Sequence, residues 1–252
     1  MANYNIFKEL AIANYRGKTM ALIEFKNVTK QFFTGEHTIN ALDDASFEIE
    51  KGEFTVILGP SGAGKSTLLN LLGGMEYATQ GQILIDGVDI AKFNDAKMTK
   101  YRAKDVGFVF QFYNLIPTLT AIENIQIVAE ITDAPIDAKK VIDDVGLSDH
   151  KYQFPSQLSG GEQQRISIAR AVCKNPKMLL CDEPTGALDS ETGVQILSLL
   201  QSLSREQDKT VVIVTHNAAL AQAADKVIRV KNGKIKEVTV NESPKAVSEV
   251  TW

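Results

Sequence analysis

The sequence predicts an α/β fold built on a sheet of buried strands, and three observations carry that prediction. Short apolar runs with β-branched residues, at 55–58, 106–110, 178–181 and 210–214, read as buried strands. Segments with helical start and stop signals separate them. The runs end on residues suited to phosphate or cation chemistry: Gly59, Gln111, Asp182 and His216. In open parallel α/β sheets the ligand sits beyond the carboxyl ends of the strands. One nucleotide can therefore meet all four ends.

The first of these ends is the most specific. Gly59-Pro60-Ser61-Gly62-Ala63-Gly64-Lys65-Ser66 matches the phosphate-loop pattern G-x-x-x-x-G-K-[ST] in full. It lies between a predicted strand and a predicted helix from Lys65 to Leu72, with Gly73-Gly74 as its stop. Glycines let the backbone curl so that its N–H groups face a phosphate, and the helix start adds orphan donors. Lys65 is placed to reach the β- and γ-phosphates, Ser66 to hold Mg²⁺, and Thr67 continues the phosphate-binding run.

From residue 22 to 53 the pattern is strand-like. Ile23, Phe25 and Val28 mark one strand, Phe47 and Ile49 alternate with charges in another, and Lys51-Gly52 signals a turn. Phe32 and Phe33 read by position as core residues of a strand, although an aromatic here can also stack on a purine. Residues 81–87 read as a further strand, and 96–103 as a helix. Residues 112–158 lack a buried strand pattern. Helices are expected at 122–131 and 139–145, broken by Asp133-Ala134-Pro135, as a small helical subdomain inserted into the core.

Leu158-Ser159-Gly160-Gly161-Glu162 opens a helix that runs to Cys173, with Ser159 and Glu162 as a capping box. Two glycines in the first turn cost up to ~1 kcal/mol each relative to Ala. They suit close approach by another backbone or a ligand, which makes this a second helix start ready for an anion. The adjacent carboxylates Asp182 and Glu183 follow an apolar strand and carry a desolvation cost unless a cation or donors meet them. Neighbouring strand residues point opposite ways, which would separate their roles. Ser190 is the expected cap of a helix to Leu203. His216 ends a core strand, whereas His37 and His150 read as surface residues. Residues 227–230 and 234–238 form a hairpin across Asn232-Gly233, and 241–252 read as a frayed tail.

Composition bounds the function. The 252-residue chain is 44% hydrophobic and 23% charged, ordinary for a soluble globular protein with a substantial core. A net charge of −4 offers no overall basic field for nucleic acid. Cys181 lies inside an apolar strand and reads as a buried free thiol, which with Cys173 fits a reducing compartment. No apolar run approaches the ~18–20 residues that span a bilayer. No secretory apolar core is evident at the N-terminus. Membrane action would therefore require a partner already in the membrane. The pattern becomes regular at Met20, and 1–19 read as an extension with a weak stripe at Ile6, Phe7 and Leu10.

The phosphate loop, Gln111, LSGGE, LLCDEP, ALD and His216 occur in the order found in ABC (ATP-binding cassette) transporter ATPases, which the chain resembles over about residues 20–240. LSGGE is the diagnostic segment. The resemblance implies a P-loop NTPase core sheet with an antiparallel β subdomain and an α-helical subdomain inserted at about 112–172, flanked by the 1–19 extension and the 241–252 tail. It implies ATP and Mg²⁺, held by Lys65 and the loop amides of Gly59 to Thr67, and by Ser66, Gln111 and Asp182. It assigns Glu183 to the attacking water, His216 to the γ-phosphate, Asp189 to coupling between two sites, and Phe32 to adenine. It also implies a head-to-tail dimer in which Ser159, Gly160, Gly161 and Glu162 of one copy close over ATP on the other.

LLGGMEYATQGQILIDG, VFQFYNLIPTLTAIENI and DEPTGALDSETG resemble the exporter group of lipoprotein-releasing, macrolide-exporting and antimicrobial-peptide-resistance systems. That implies an integral membrane permease as partner, and a peripheral position on the cytoplasmic side of the cell membrane. The stretch from Glu123 to Gly146 is several residues shorter than usual in that group. DNA-repair and chromosome-organising relatives insert long coiled coils between Gln111 and Ser159, and no heptad run occurs there. Ribosome-associated relatives carry two cassettes, and each motif here occurs once. A monomeric phosphate-loop kinase or GTPase would leave LSGGE unexplained.

Overall fold

The buried runs of the sequence become neighbours in one sheet. The computed structural model describes residues 21–35 and 37–251. The extension expected at 1–19, with its apolar stripe, and Trp252 lie outside the described residues. In chain order the elements are β1 (Ala21–Thr34), β2 (His37–Glu50), β3 (Phe54–Leu58), α1 (Lys65–Leu72), β4 (Gln80–Ile85), β5 (Val88–Asp89), α2 (Asp95–Lys104) and β6 (Val106–Phe110). There follow α3 (Ala121–Gln126), α4 (Ala138–Asp144), α5 (Gly160–Cys173), β7 (Met178–Asp182), α6 (Ser190–Gln207), β8 (Thr210–Thr215), β9 (Lys226–Lys231) and β10 (Lys234–Val240).

The larger sheet has the order β10-β9-β3-β8-β7-β6. Its five strands from β9 to β6 are parallel, and β10 joins antiparallel at the edge. The expected C-terminal hairpin is thus part of the core sheet. The smaller sheet, β2-β1-β4-β5, is antiparallel throughout. The register aligns the strand ends: Leu58 lies opposite Thr215, Asp182 opposite Val214, and Phe110 opposite Asp182. Residues just beyond these positions therefore emerge along one rim.

Period-two alternation gives the larger sheet two covered faces. Phe54, Val56, Leu179, Cys181, Val211 and Ile213 pack in one core with α5, α6 and the helices of the insertion. Ile57, Leu180, Val212 and Val214 pack in a second core with α1 and the smaller sheet. Both cysteines are free and buried, and burial pushes both thiols up.

Three local expectations change. Residues 241–251 do not fray: Val247 and Val250 are buried against α6, and Gln201 Oε1 accepts from the Val247 amide at 3.0 Å. The cap of α6 is Asp189, whose side chain accepts from the Thr192 amide at 3.0 Å, and the helix continues to Gln207. Phe32 and Phe33 are exposed rather than core, because β1 and β2 extend past the packed part of their sheet as a two-stranded ribbon.

One lysine gives a pH-dependent stability. Lys174 Nζ donates to the carbonyls of Arg102 and Val106, both at 2.7 Å, without a carboxylate in either bond. Its burial lowers the pKa from 10.5 to about 8. Between those values the unfolded chain binds more protons than the folded one, so stability from this group rises with pH across that window and is lost as pH falls through the folded value. Chemical denaturation of Lys174→Met against the wild type from pH 7.5 to 10.5 is expected to show a shallower rise in the variant.

Candidate active site

The phosphate loop curls because Gly64 takes φ 102°, and a Cβ there would lie 2.4 Å from the Ala41 carbonyl oxygen. No other residue fits that turn. Helix α1 begins on the next residue, so its free N–H groups face the same space. Lys65 is buried, and its Nζ donates to the carbonyls of Gly59 at 2.9 Å and Pro60 at 3.1 Å. A cleft of about 1050 Å³ opens over the loop, lined by Ser61 to Thr67, Gln111, Asp182, Glu183 and His216. Three of the four strand ends expected to converge, Gln111, Asp182 and His216, line this one cavity; Gly59 does not line it, and its strand reaches the cavity through Ser61 to Thr67. Ile39, Asn40 and Ala41 of β2 and the Asn232-Gly233 turn complete its wall.

Asp182 is half-buried, and burial raises its carboxyl pKa; Ser66 and Lys65 oppose that rise and the Glu183 charge adds to it. Ser66 Oγ lies 3.5 Å from Asp182 Oδ1. The pair is close enough to share one small cation at ~2.1 Å from each. Among the described residues no three His, Cys, Asp or Glu side chains gather as metal ligands. The Ser66 hydroxyl and the Asp182 carboxylate, with the Gln111 side chain in the same cleft, offer hard oxygen donors. Mg²⁺ commonly uses one or two carboxylates and completes its shell with substrate phosphates and water.

Glu183 does not follow the strand alternation expected of it. β7 ends at Asp182, and Glu183 takes φ 47°. That left-handed turn brings both carboxylates to the same cleft. The conformation is costly for a side-chain-bearing residue, and its surroundings hold it. Its amide donates to the Val214 carbonyl at 2.9 Å, and its own carbonyl accepts from Gly186 at 3.0 Å. Thr215 Oγ1 donates to Glu183 Oε2 at 3.0 Å, and His216 Nδ1 meets Oε1 at 2.9 Å. A carboxylate held at both oxygens keeps lone pairs for a water in a fixed direction.

Ser159 to Glu162 do not line this cleft. They form the expected capping box: Ser159 N and Oγ donate to Glu162 Oε2 at 2.7 and 2.8 Å, bonds that hold the Glu162 carboxyl below its usual range. The two glycines have partners within this chain. A Cβ on Gly160 would lie 2.7 Å from Tyr113 Oη, and one on Gly161 2.3 Å from Thr192 Cγ2. Close approach is therefore real, but the groups approaching are the segment after Gln111 and the start of α6. His150 lies at the surface as expected, with its Nε2 3.6 Å from Glu162 Oε1 and its Nδ1 3.0 Å from Gln153 Oε1. Asp189 caps α6 instead of reaching the cleft. Phe32 pairs with Ile39 across β1 and β2; Ile39 lines the cleft and Phe32 does not.

The sequence matches the profile of the ABC transporter family over residues 42–186, more than half of the chain. The chain belongs to the ABC transporter family. It is an ATP-hydrolysing cassette of that family. A putative ABC transporter ATP-binding protein of Mycoplasma genitalium is 44% identical over 234 residues, 92% of this cassette, which spans half of that relative's length. The lipoprotein-releasing system ATP-binding protein LolD of Shewanella frigidimarina is 39% identical over 91% of this cassette and 98% of its own chain. The MJ0796 cassette of Methanocaldococcus jannaschii, solved as a dimeric post-hydrolysis state bound to ADP and Pi, superposes with a TM-score of 0.80. It is 40% identical over 88% of this cassette and 99% of that chain. The solved dimers support self-association of such cassettes.

Several residues around the site escaped the sequence reading. Thr215, beside His216 at a strand end, was findable by the same logic as His216. Asn232-Gly233 carried only a turn signal. Gln164, inside an amphipathic helix, carried none.

Proposed function

We propose that this cassette is the ATP-driven motor of a membrane exporter, working as a head-to-tail pair on the cytoplasmic face of the membrane. The observation that carries the reading is the meeting of Lys65, Gln111, Asp182, Glu183 and His216 around one phosphate loop. Lys65 and the backbone N–H groups of the loop from Gly59 to Thr67, save Pro60, which has none, bind the phosphates, and Phe32 stacks on adenine. Ser66, Gln111 and Asp182 would hold Mg²⁺, which would supply positive charge against the phosphate oxygens. Glu183, oriented by Thr215 and His216, aligns the attacking water and accepts its proton; His216 then steadies the γ-phosphate. Ser159, Gly160, Gly161 and Glu162 of the second copy close the site, and Asp189 couples the two halves.

A permease supplies the membrane path. Among the described residues no helix is long and apolar enough to cross a bilayer. The insertion exposes Phe112, Ile116, Ile127 and Ile131, which suit docking to a membrane protein. The likeness to the lipoprotein-releasing LolD favours a lipoprotein, and the likeness to the macrolide exporter MacB an antibiotic; a peptide cargo of the same exporter group is the third class of this reading. Affinity capture of the tagged protein from detergent-solubilised membranes is expected to recover one multi-span integral protein. Its reconstitution in lipid should raise ATP turnover several-fold; capture of nucleic acid or ribosomes instead would refute the reading.

A further inference from the structure

Gln164 occupies an unusual position. It sits on the second turn of α5, is completely buried, and does not itself line the cleft. Its Nε2 donates to the Phe110 carbonyl at 3.2 Å and to the Pro184 carbonyl at 2.8 Å. Two carbonyl acceptors fix the orientation of the amide. Phe110 directly precedes Gln111, and Pro184 directly follows Glu183. One side-chain amide thus ties together the two loops that carry the cation-binding and water-orienting residues. The same end of the helix meets Tyr113 at Gly160 and Thr192 at Gly161.

Stability alone does not account for this amide. Gln164 Oε1 is buried with no hydrogen-bond partner among the described residues. A buried orphan acceptor is unfavourable, and an apolar side chain of similar size would avoid it. What an apolar side chain cannot do is hold the carbonyl at the end of β6 and the carbonyl in the turn after β7 at one distance. Glu183 most needs such support, because its left-handed backbone persists only where the surroundings over-determine it.

We propose that Gln164 is a positioning residue for ATP hydrolysis, holding the Gln111 and Glu183 loops in register from the start of helix α5. It acts through those residues and touches neither nucleotide nor cation. The inference rests on the roles given above to Gln111 and Glu183. Nucleotide affinity, set by the phosphate loop on the other side of the cleft, should be insensitive to it. A sub-ångström to ångström misplacement of a water-orienting group is enough to slow chemistry severely.

Gln164→Met keeps the volume and loses both donors; Gln164→Glu keeps the shape and places a carboxylate against two carbonyls. In ATP turnover assays with Mg²⁺, both variants are expected to lose at least ~10-fold in kcat, while KM and the affinity for a fluorescent ATP analogue stay within ~2-fold. Three results would overturn the inference. One is a folded Gln164→Met with kcat near the wild type. Another is a loss of affinity in step with kcat. The third is a failure of both variants to fold, which would make Gln164 a structural residue only. Glu183→Gln, measured alongside, separates the two levels. If that variant turns over normally, the assignment of the site fails; if it is inactive while Gln164→Met is active, only the positioning role fails.

Discussion

Glu183→Gln is expected to lose ~10²–10⁴-fold in ATP turnover, the usual worth of a positioned general base, and to leave nucleotide binding intact. The amide retains the shape of the carboxylate and can still meet Thr215 and His216, which hold the side chain at 3.0 and 2.9 Å. It loses the negative charge and the capacity to take a proton from water. Binding depends on Lys65 and the loop, which the substitution does not touch. ATP-bound pairs should therefore form and persist. Phosphate release reads the first effect, and size-exclusion chromatography with ATP and Mg²⁺ reads the second as a shift from monomer to dimer. A variant that hydrolyses at the wild-type rate would remove Glu183 from the chemistry.

Lys65→Ala is expected to fail one step earlier. The ammonium is buried at the head of α1, where it holds two loop carbonyls and faces the cleft. Truncating one partner of a buried charged hydrogen bond costs ~2–5 kcal/mol, which is roughly 30-fold or more in affinity. The loop would also lose the contacts from Nζ to Gly59 and Pro60, so its curl should loosen. Titration with a fluorescent ATP analogue reads the loss directly. The two variants should differ in kind: Glu183→Gln binds and stalls, whereas Lys65→Ala does not bind.

The fold was largely legible because its core strands are short, apolar and punctuated by chemistry. Val106–Phe110 and Thr210–Thr215 stand out from polar surroundings, and their ends carry Gln111 and His216. Strand order was not legible. Nothing in Lys226–Lys231 says that it pairs with β3 across the length of the chain. The docked tail was missed because Val247 and Val250 are isolated apolar residues in a polar stretch, and only α6 makes them core. Phe32 and Phe33 misled in the opposite direction, since an aromatic pair in a strand pattern looks the same on a packed sheet and on a projecting ribbon.

Within the site, residue identities were easier to read than conformations. Asp182 and Glu183 were visible as a pair, but the left-handed turn that puts both into one cleft depends on β8 and on Gln164, far away in sequence. The Ser159 capping box was readable from local spacing. The occupants of the space above Gly160 and Gly161 were not, because Tyr113 and Thr192 arrive there only through tertiary folding.

The central claim is that each ATP site is completed by a second copy, and complementation tests it most directly. Lys65→Ala has a defective phosphate loop with an intact Ser159 segment; Ser159→Arg has the reverse. Each alone should be inactive. In a mixed pair, the sound loop of one copy faces the sound Ser159 segment of the other, so one complete site is restored. The account predicts that ATP turnover, absent in both separate preparations, reappears on mixing and peaks near equal proportions. Turnover that stays at background at every ratio, while a tag on one variant captures the other, would contradict it.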